Sequence, residues 1–373
     1  MIIVKEMIYL SNYLDKERNP GWNELFFDLS YVVLVGKIAH ILFKEDIKVI
    51  KLETVIIFLW IFCIQALVWM YYTTYMNYYG DENIKKNLYT FTLVICLVFT
   101  SLFMEDFKDN IKYISILLSV VVMTMSFMYA GCKYEIKENC EYAKFKIKVF
   151  RILSILTLIV YFMDTNTIII YTTVIYLVAA ILDEIYTKKN KVAKTDISHI
   201  MERMGIFMIL VFGEAFLTLS ETMKDVDDIY SLSVFIAFIV IIFGLWINYF
   251  TFLDEFKDNK YKKYSQILTL FSMTIFSSII HHGFYQDLDI FYYEILAFVF
   301  ILSFFAANAW SYKEITITKF ILFYAILPAV ILSINAIIFH SYNITLIFLL
   351  VETILTSLFI MKRKISHDNQ KKN

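Results

Sequence analysis

The sequence predicts an all-α polytopic membrane protein with about twelve transmembrane helices. Hydrophobic residues make up 60% of the 373-residue chain and charged residues only 18%, whereas soluble domains are about 45–50% apolar and about 25% charged. The mean hydropathy is +0.65. Apolar runs recur along the chain at roughly the 20 residues that an α-helix needs to cross a bilayer. The formal net charge is −1 and no part of the chain forms a basic domain, so nucleic acid is not an expected partner.

Apolar runs bounded by charged or polar turns define the predicted spans. Asp164, Thr165 and Asn166 alone separate the fifth span from the sixth. Pro328 lies inside the eleventh span and predicts a kink there, because proline removes a backbone hydrogen bond. In chain order the predicted spans cover residues 22–43, 52–74, 88–104, 111–131, 147–163, 167–186, 200–220, 231–253, 264–282, 291–310, 318–339 and 342–361.

The lysines and arginines predict the orientation of these spans. Most of the 34 basic residues fall in the segments that lie on the same side of the membrane as the N-terminus, and few fall in the alternate loops. Cytoplasmic loops carry such an excess of Lys and Arg. The pattern therefore predicts that both the N-terminus and the C-terminus are cytoplasmic.

The chain repeats its motifs at an offset of about 177 residues, as expected of an internal repeat. Span one begins with Glu24 and carries Gly36-Lys37 deeper in, and span seven begins with Glu202 and carries Gly213-Glu214 at the matching depth. Spans two and eight end in related aromatic motifs, Trp69 to Tyr72 and Trp246 to Tyr249. Because each half holds six spans, the two halves insert the same way round, as parallel repeats.

The repeat predicts the domain organisation. We expect a cytoplasmic interfacial lead-in over 1–21, a first six-helix half over 22–186, a basic cytoplasmic linker over 187–199, a second six-helix half over 200–361 and a basic cytoplasmic tail over 362–373.

Charged residues inside the first and seventh spans are the main candidates for function. Glu24 and Asp28 are four residues apart, so they share one face of a helix. Span seven offers His199, Glu202 and Arg203 at the same end. A charge inside a membrane costs roughly 2.5–3.5 kcal/mol on insertion scales and needs a partner or a purpose. Two interpretations stay open: a cluster that titrates or binds a cation, and a structural ion-pair network that locks span one to span seven.

A second layer of charge is predicted deeper in the membrane. Lys37 and Glu214 lie at equivalent depths of the two halves and have opposite charge, so we expect them to meet near the axis between the halves. This pair is either a proton-coupling switch or a buried salt bridge. His40 follows Lys37 by one turn and joins the candidate coupling residues.

Several polar and aromatic residues are candidates for lining a cavity: Trp69, Tyr72, Asn77, Trp246 and Tyr249. No metal site is predicted, because the four cysteines lack metal-ligand spacing and adjacent side chains at His281-His282 point to different sides of a helix unless a turn intervenes. The sequence also has no phosphate-binding or nucleophile motif, and no cofactor is expected.

Two motifs carry a family resemblance. Glu24-Leu-Phe-Phe-Asp28 with His40, and His199-Ile-Met-Glu-Arg203-Met-Gly205 followed by Gly213-Glu214, resemble the signatures of the bacterial low temperature requirement protein A (LtrA) family. Trp246 with Tyr249-Phe250 is similar to a third element. The sequence departs from the family pattern at Lys37, Tyr78 and Gln266. The resemblance implies a multi-pass protein of the bacterial cytoplasmic (inner) membrane.

The resulting hypothesis is a proton- or cation-coupled transporter or permease of an unknown small-molecule substrate, with a charge network between its halves. Its expected partners are the lipid bilayer and a proton or monovalent cation, and a homo-oligomer is compatible with the sequence. The alternatives are a channel, a membrane-embedded enzyme that acts on lipid, and a non-transporting membrane-stress or assembly protein with structural ion pairs. The sequence favours a protein that is not an enzyme.

Overall fold

The structure is a computed structural model that describes residues 19–42, 48–80, 83–104, 106–132, 140–190, 196–223, 229–255, 262–309 and 322–372. The described residues fold into α-helices joined by short turns. In order these are α1 (Trp22–Ala39), α2 (Leu52–Tyr79), α3 (Ile84–Leu102), α4 (Phe107–Cys132), α5 (Cys140–Ile159), α6 (Thr165–Asn190), α7 (Ile197–Thr222), α8 (Ile229–Glu255), α9 (Lys262–Tyr285), α10 (Ile290–Ala309), α11 (Leu327–Ile334) and α12 (Tyr342–Lys372).

A helix occupies the described part of every predicted span. The start of the span predicted at 318–339 and most of the lead-in at 1–21 lie outside the described residues. The predicted linker at 187–199 begins inside α6, and the predicted tail at 362–373 continues α12.

Eight of the described helices are long and apolar enough to cross a membrane: α2, α4, α6, α7, α8, α9, α10 and α12. The protein is therefore an all-helical membrane protein. Helix α1 falls outside this set because Glu24, Asp28 and Lys37 interrupt its apolar sequence.

Helix α1 lies at the centre of the helix packing. It contacts α2, α3, α7 and α9, and so touches helices from the first and the second half of the chain. Its apolar face is fully buried at Phe27, Leu34 and Ile38. A helix in this position places its polar side chains among other helices, away from lipid and water.

The first six helices and the last six have matching contacts. Helix α1 packs on α3, α3 on α4, and α2 on α6, and equally α7 packs on α9, α9 on α10, and α8 on α12.

Helix α11 is irregular on both sides. A π-helical turn at Leu322–Ile326 precedes it and a second at Asn335–Phe339 follows it. Pro328 lies in its first turn, where the missing N–H is tolerated because the first N–H groups of a helix lack intrahelical partners. The expected kink is thus a junction between a π-helical turn and an α-helix.

Candidate functional site

Four charged or titratable side chains meet where α1 packs on α7. Glu24 and Asp28 project from α1, and His199 and Arg203 project from α7. Each pair is spaced by four residues and therefore lies on one face of its helix. All four side chains are at most 1% exposed. We call these four residues the α1–α7 charge cluster.

Arg203 holds both acids of α1. Its Nε donates to Asp28 Oδ2 at 2.9 Å and its Nη2 donates to Asp28 Oδ1 at 2.7 Å. Its Nη1 donates to Glu24 Oε2 at 3.1 Å. The planar guanidinium matches the geometry of a carboxylate in this two-bond arrangement, which lysine cannot reproduce.

Helix α2 encloses the cluster with aromatic rings. The guanidinium carbon of Arg203 lies 5.4 Å from the centre of a Trp69 ring and 5.1 Å from that of Tyr72, within the range of a cation–π interaction. The Trp69 indole N–H donates to Asp28 Oδ1 at 2.9 Å. Tyr72 is buried and its hydroxyl lies 3.1 Å from Thr90 Oγ1. Trp69 and Tyr72, which the sequence predicted to line a cavity, therefore pack against the charge cluster.

Asn77 defines the tautomer of His199. Asn77 Oδ1 accepts from the Asp196 N–H at 2.9 Å, and Asn77 Nδ2 donates to the Asp196 carbonyl at 2.9 Å. This orientation directs Nδ2 towards His199 Nδ1 at 3.2 Å, so Nδ1 accepts and carries no proton. The proton of the neutral imidazole then lies on Nε2, which donates to Glu24 Oε1 at 3.3 Å.

This arrangement links three helices through His199. If His199 takes up a proton, Nδ1 becomes a donor and faces the N–H of Asn77, so that contact is lost. The contact with Glu24 becomes an ion pair in the same step. Protonation of one side chain would therefore shift the balance between the α2–α7 contact and the α1–α7 contact.

In the deeper layer of charge, Glu214 on α7 lies beside Gly36 and Lys37 on α1. The Glu214 carboxylate lies over Gly36, because a Cβ atom placed on Gly36 would come within 2.1 Å of Glu214 Oε1. Lys37 is partly buried and attracts the Glu214 carboxylate electrostatically. The structure thus brings α1 and α7 together at this depth, where the Glu214 side chain packs against Gly36.

Three predicted residues are exposed and lie away from the cluster. Glu202 is exposed on α7, because the residue next to Arg203 points about 100° away from it on a helix. His40 is exposed in the turn after α1 and lies near His281. Trp246 is 42% exposed on α8.

Tyr249 is buried, and its hydroxyl donates to Gln266 Oε1 at 2.5 Å. Gln266 and Trp69 both line a cavity of about 10 Å³ between α2, α7 and α9. Such a volume has room for about one water molecule. The four residues of the α1–α7 charge cluster are not among those that line this cavity.

Sequence reasoning missed a further buried acid, Glu294 on α10. It is 4% exposed, and its Oε1 accepts from Asn335 in the second π-helical turn and from Thr345 on α12. Its Oε2 has no hydrogen-bond partner among the described residues. The signal was present in the sequence as an acid near the start of the apolar run at 291–310.

The chain is similar to a known protein family. Residues 20–361 match the family described as Bacterial low temperature requirement A protein (LtrA). A search of curated proteins found no match. The match covers the α1–α7 charge cluster and most of the chain, and the protein therefore belongs to the LtrA family.

Proposed function

We propose that this protein is a proton- or cation-coupled transporter of a small-molecule substrate in the bacterial cytoplasmic membrane. Its twelve helices form two parallel six-helix halves, α1–α6 and α7–α12, with both termini cytoplasmic. The single observation that carries the proposal is the α1–α7 charge cluster, which joins the two halves through buried charges. Ionisable side chains inside a membrane protein commonly mark ion pathways and proton relays.

The matching helix contacts support the two halves. The packing of α1 on α3 and of α2 on α6 recurs as α7 on α9 and α8 on α12. In transporters built from such repeats, one half rocks against the other around a central site. The charge cluster lies at this boundary, so its formation or loss would determine whether the halves are closed at that end.

His199 supplies the coupling step in this proposal. Its imidazole contacts Glu24 on α1 and Asn77 on α2, and its backbone N–H donates to Asp196 Oδ1 just before α7. A proton on Nδ1 removes the contact with Asn77 and loosens α2 from α7. Release of the proton restores the closed arrangement described here.

The broken helix α11 provides a second feature of a transporter. Interrupted helices commonly form the substrate and ion sites of secondary transporters, and π-helical turns occur often at functional sites. Glu294 contacts the π-helical turn through Asn335. We infer that Glu294 belongs to the ion pathway of the second half.

The complete burial of the cluster also supports a second candidate function that does not involve transport. Every charge in it is paired, and each side chain is at most 1% exposed. This also fits a non-transporting membrane-stress or assembly protein in which the cluster only locks two helices together. The same burial disfavours a lipid-acting enzyme, because a lipid headgroup cannot reach these groups.

Transport can be tested with purified protein reconstituted into liposomes that contain a pH-sensitive dye or a K⁺- or Na⁺-sensitive dye. Wild-type protein should carry protons or a cation down an imposed gradient. Asp28→Asn should abolish this flux, because it removes the charge that Arg203 holds, and the folded protein should remain in the membrane. The exposed residue Glu202 offers a matched control, and Glu202→Gln should leave the flux unchanged.

The flux measurement discriminates between the transport function and the structural function. If folded wild-type protein carries no proton or cation under any imposed gradient, the transport proposal fails and the structural function remains. If Asp28→Asn instead removes the protein from the membrane, its role is structural. Arg203→Lys, which retains the charge, then serves as the second variant for the flux measurement.

A further inference from the structure

A cluster of imidazole and carboxylate groups lies at the end of α9, far along the chain from the charge cluster. His281 and His282 are in the last turn of α9, and Asp287 is in the turn that leads to α10. The ligand atoms of the three side chains all lie within 4.8 Å of one another. We call this group the α9 histidine cluster.

The turn after α9 creates the cluster. Gln286 adopts a left-handed conformation with φ of 51°, which is uncommon for a residue other than glycine. It reverses the chain so that Asp287 faces back towards the helix. Asp287 then reaches both adjacent histidines, which a straight helix would direct to different sides.

The contacts of the two ring nitrogens of His282 indicate that a positive charge lies between His282 and Asp287. Its Nε2 lies 3.2 Å from the Leu42 carbonyl, which can only accept, so Nε2 carries the proton of the neutral ring. The lone pair of Nδ1 then faces Asp287 Oδ1 at 2.6 Å. Two acceptors at this distance repel unless a proton or a metal ion lies between them.

The position of His281 favours a metal ion over a proton as the positive charge beside Asp287. Its Nε2 lies 3.8 Å from Asp287 Oδ2, too far for a hydrogen bond. Two ligands of a tetrahedral Zn²⁺ ion with bonds of about 2.0–2.1 Å are separated by roughly 3.3 Å. Changes of up to about 1.5 Å in the separations of the ligand atoms would therefore let both histidines and Asp287 share one ion.

The surroundings fit a metal site. The contact of His282 Nε2 with the Leu42 carbonyl resembles the second hydrogen bond that metal-binding histidines make, which fixes the ring. His281 is 16% exposed and Asp287 is 28% exposed, so an ion can enter from solvent.

We propose that His281, His282 and Asp287 bind a divalent transition-metal ion of the Zn²⁺ class, with one coordination position open to solvent. This reverses the expectation from the sequence that the chain has no metal site. Two imidazoles and one carboxylate are a ligand set that Zn²⁺ accepts, and Mg²⁺ and Ca²⁺ prefer oxygen ligands. The site does not depend on the proposed transport function.

The test uses full-length protein in detergent, stripped of metal with a chelator and titrated with Zn²⁺ by calorimetry. One Zn²⁺ should bind per chain, and Mg²⁺ should not compete. His281→Ala should weaken Zn²⁺ affinity on the order of 100-fold, since loss of a ligand should cost at least as much as the 10–100-fold cost of losing an outer-shell partner. Asp287→Asn should weaken it similarly.

The control is His340, an exposed histidine outside the cluster with φ of 49°. His340→Asn keeps a residue that tolerates this backbone conformation and should leave Zn²⁺ affinity unchanged. Size-exclusion elution reports folding of each variant, and the partly exposed His281 makes His281→Ala the safest to purify. The proposal is overturned if folded wild-type protein binds no Zn²⁺, or if His281→Ala and Asp287→Asn both bind it as wild type does.

Discussion

Arg203 is the residue on which the contact between α1 and α7 depends. Arg203→Lys keeps the positive charge and loses the two-bond contact with Asp28. Because a hydrogen bond to a charged group contributes about 1.5–3 kcal/mol, we expect the loss of this contact to lower the free energy of unfolding by about 2 kcal/mol. Denaturant titration of the detergent-solubilised protein, followed by tryptophan fluorescence, measures this change, since Trp69 adjoins the cluster.

Glu202→Gln is the matched control on the same helix, because Glu202 is exposed. Exposed substitutions usually change stability by less than about 0.5 kcal/mol. An Arg203→Lys protein as stable as Glu202→Gln would mean that the paired geometry contributes nothing to folding.

Single residues also show how far the sequence can predict the site. Glu24, Asp28, His199 and Arg203 could be selected because charges four residues apart in apolar spans must meet partners. Asp287 could not, because its approach to His282 depends on the left-handed backbone at Gln286. A backbone conformation in a turn leaves no periodic signal in the sequence.

At the scale of helices, the close approach of α8 to α12 depends on Gly244. A Cβ atom placed there would lie 2.5 Å from Thr353 Cγ2, and Ser357 Oγ donates to the Gly244 carbonyl at 3.2 Å. Small residues allow such close packing between membrane helices. Gly244→Ala should therefore destabilise the protein by about 1–3 kcal/mol through overpacking, as measured by the midpoint of thermal aggregation in detergent.

Gly213 provides the comparison, because a Cβ atom at that position has no neighbour within 4 Å. Gly213→Ala should be neutral or stabilise the protein slightly, since alanine favours a helix over glycine. Adding Thr353→Ser to Gly244→Ala removes the clashing methyl group and should restore most of the lost stability. Failure of this rescue would show that the α8–α12 contact is not limited by Thr353.

Helices were the most predictable feature of this chain, because apolar length alone identifies a buried or membrane-crossing segment. Their ends were less predictable: α6 continues to Asn190 and α12 to Lys372, beyond the apolar runs. The π-helical turns around α11 were not foreseen. Pro328 indicated an irregularity, but its form depends on packing against α10 and on the contact between Asn335 and Glu294.

For the whole molecule, α1 is held to the second half of the chain at both of its ends. The charge cluster holds its start to α7. At its other end, the carbonyl groups of Ala39 and Leu42 accept from Ser278 and His282 on α9. A metal ion in the α9 histidine cluster would therefore stiffen one end of α1, while protonation at His199 would act on the other.

The orientation of α7 in the membrane tests this architecture as a whole. Lys189, at the end of α6, and Glu221, at the end of α7, are both exposed and lie on either side of α7 in the chain. Helix α7 has 26 residues, so at 1.5 Å per residue it is about 39 Å long and can span a hydrocarbon core of about 30 Å.

In a variant with Cys63, Cys96, Cys132 and Cys140 replaced, Glu221→Cys should react with an impermeant thiol reagent in intact cells. Lys189→Cys should react only after the membrane is permeabilised, because the basic loop after α6 is predicted to be cytoplasmic. Labelling of both positions from the same side would show that α7 does not cross. The two parallel halves would then have to be abandoned, since the first helix of the second half would not span the membrane.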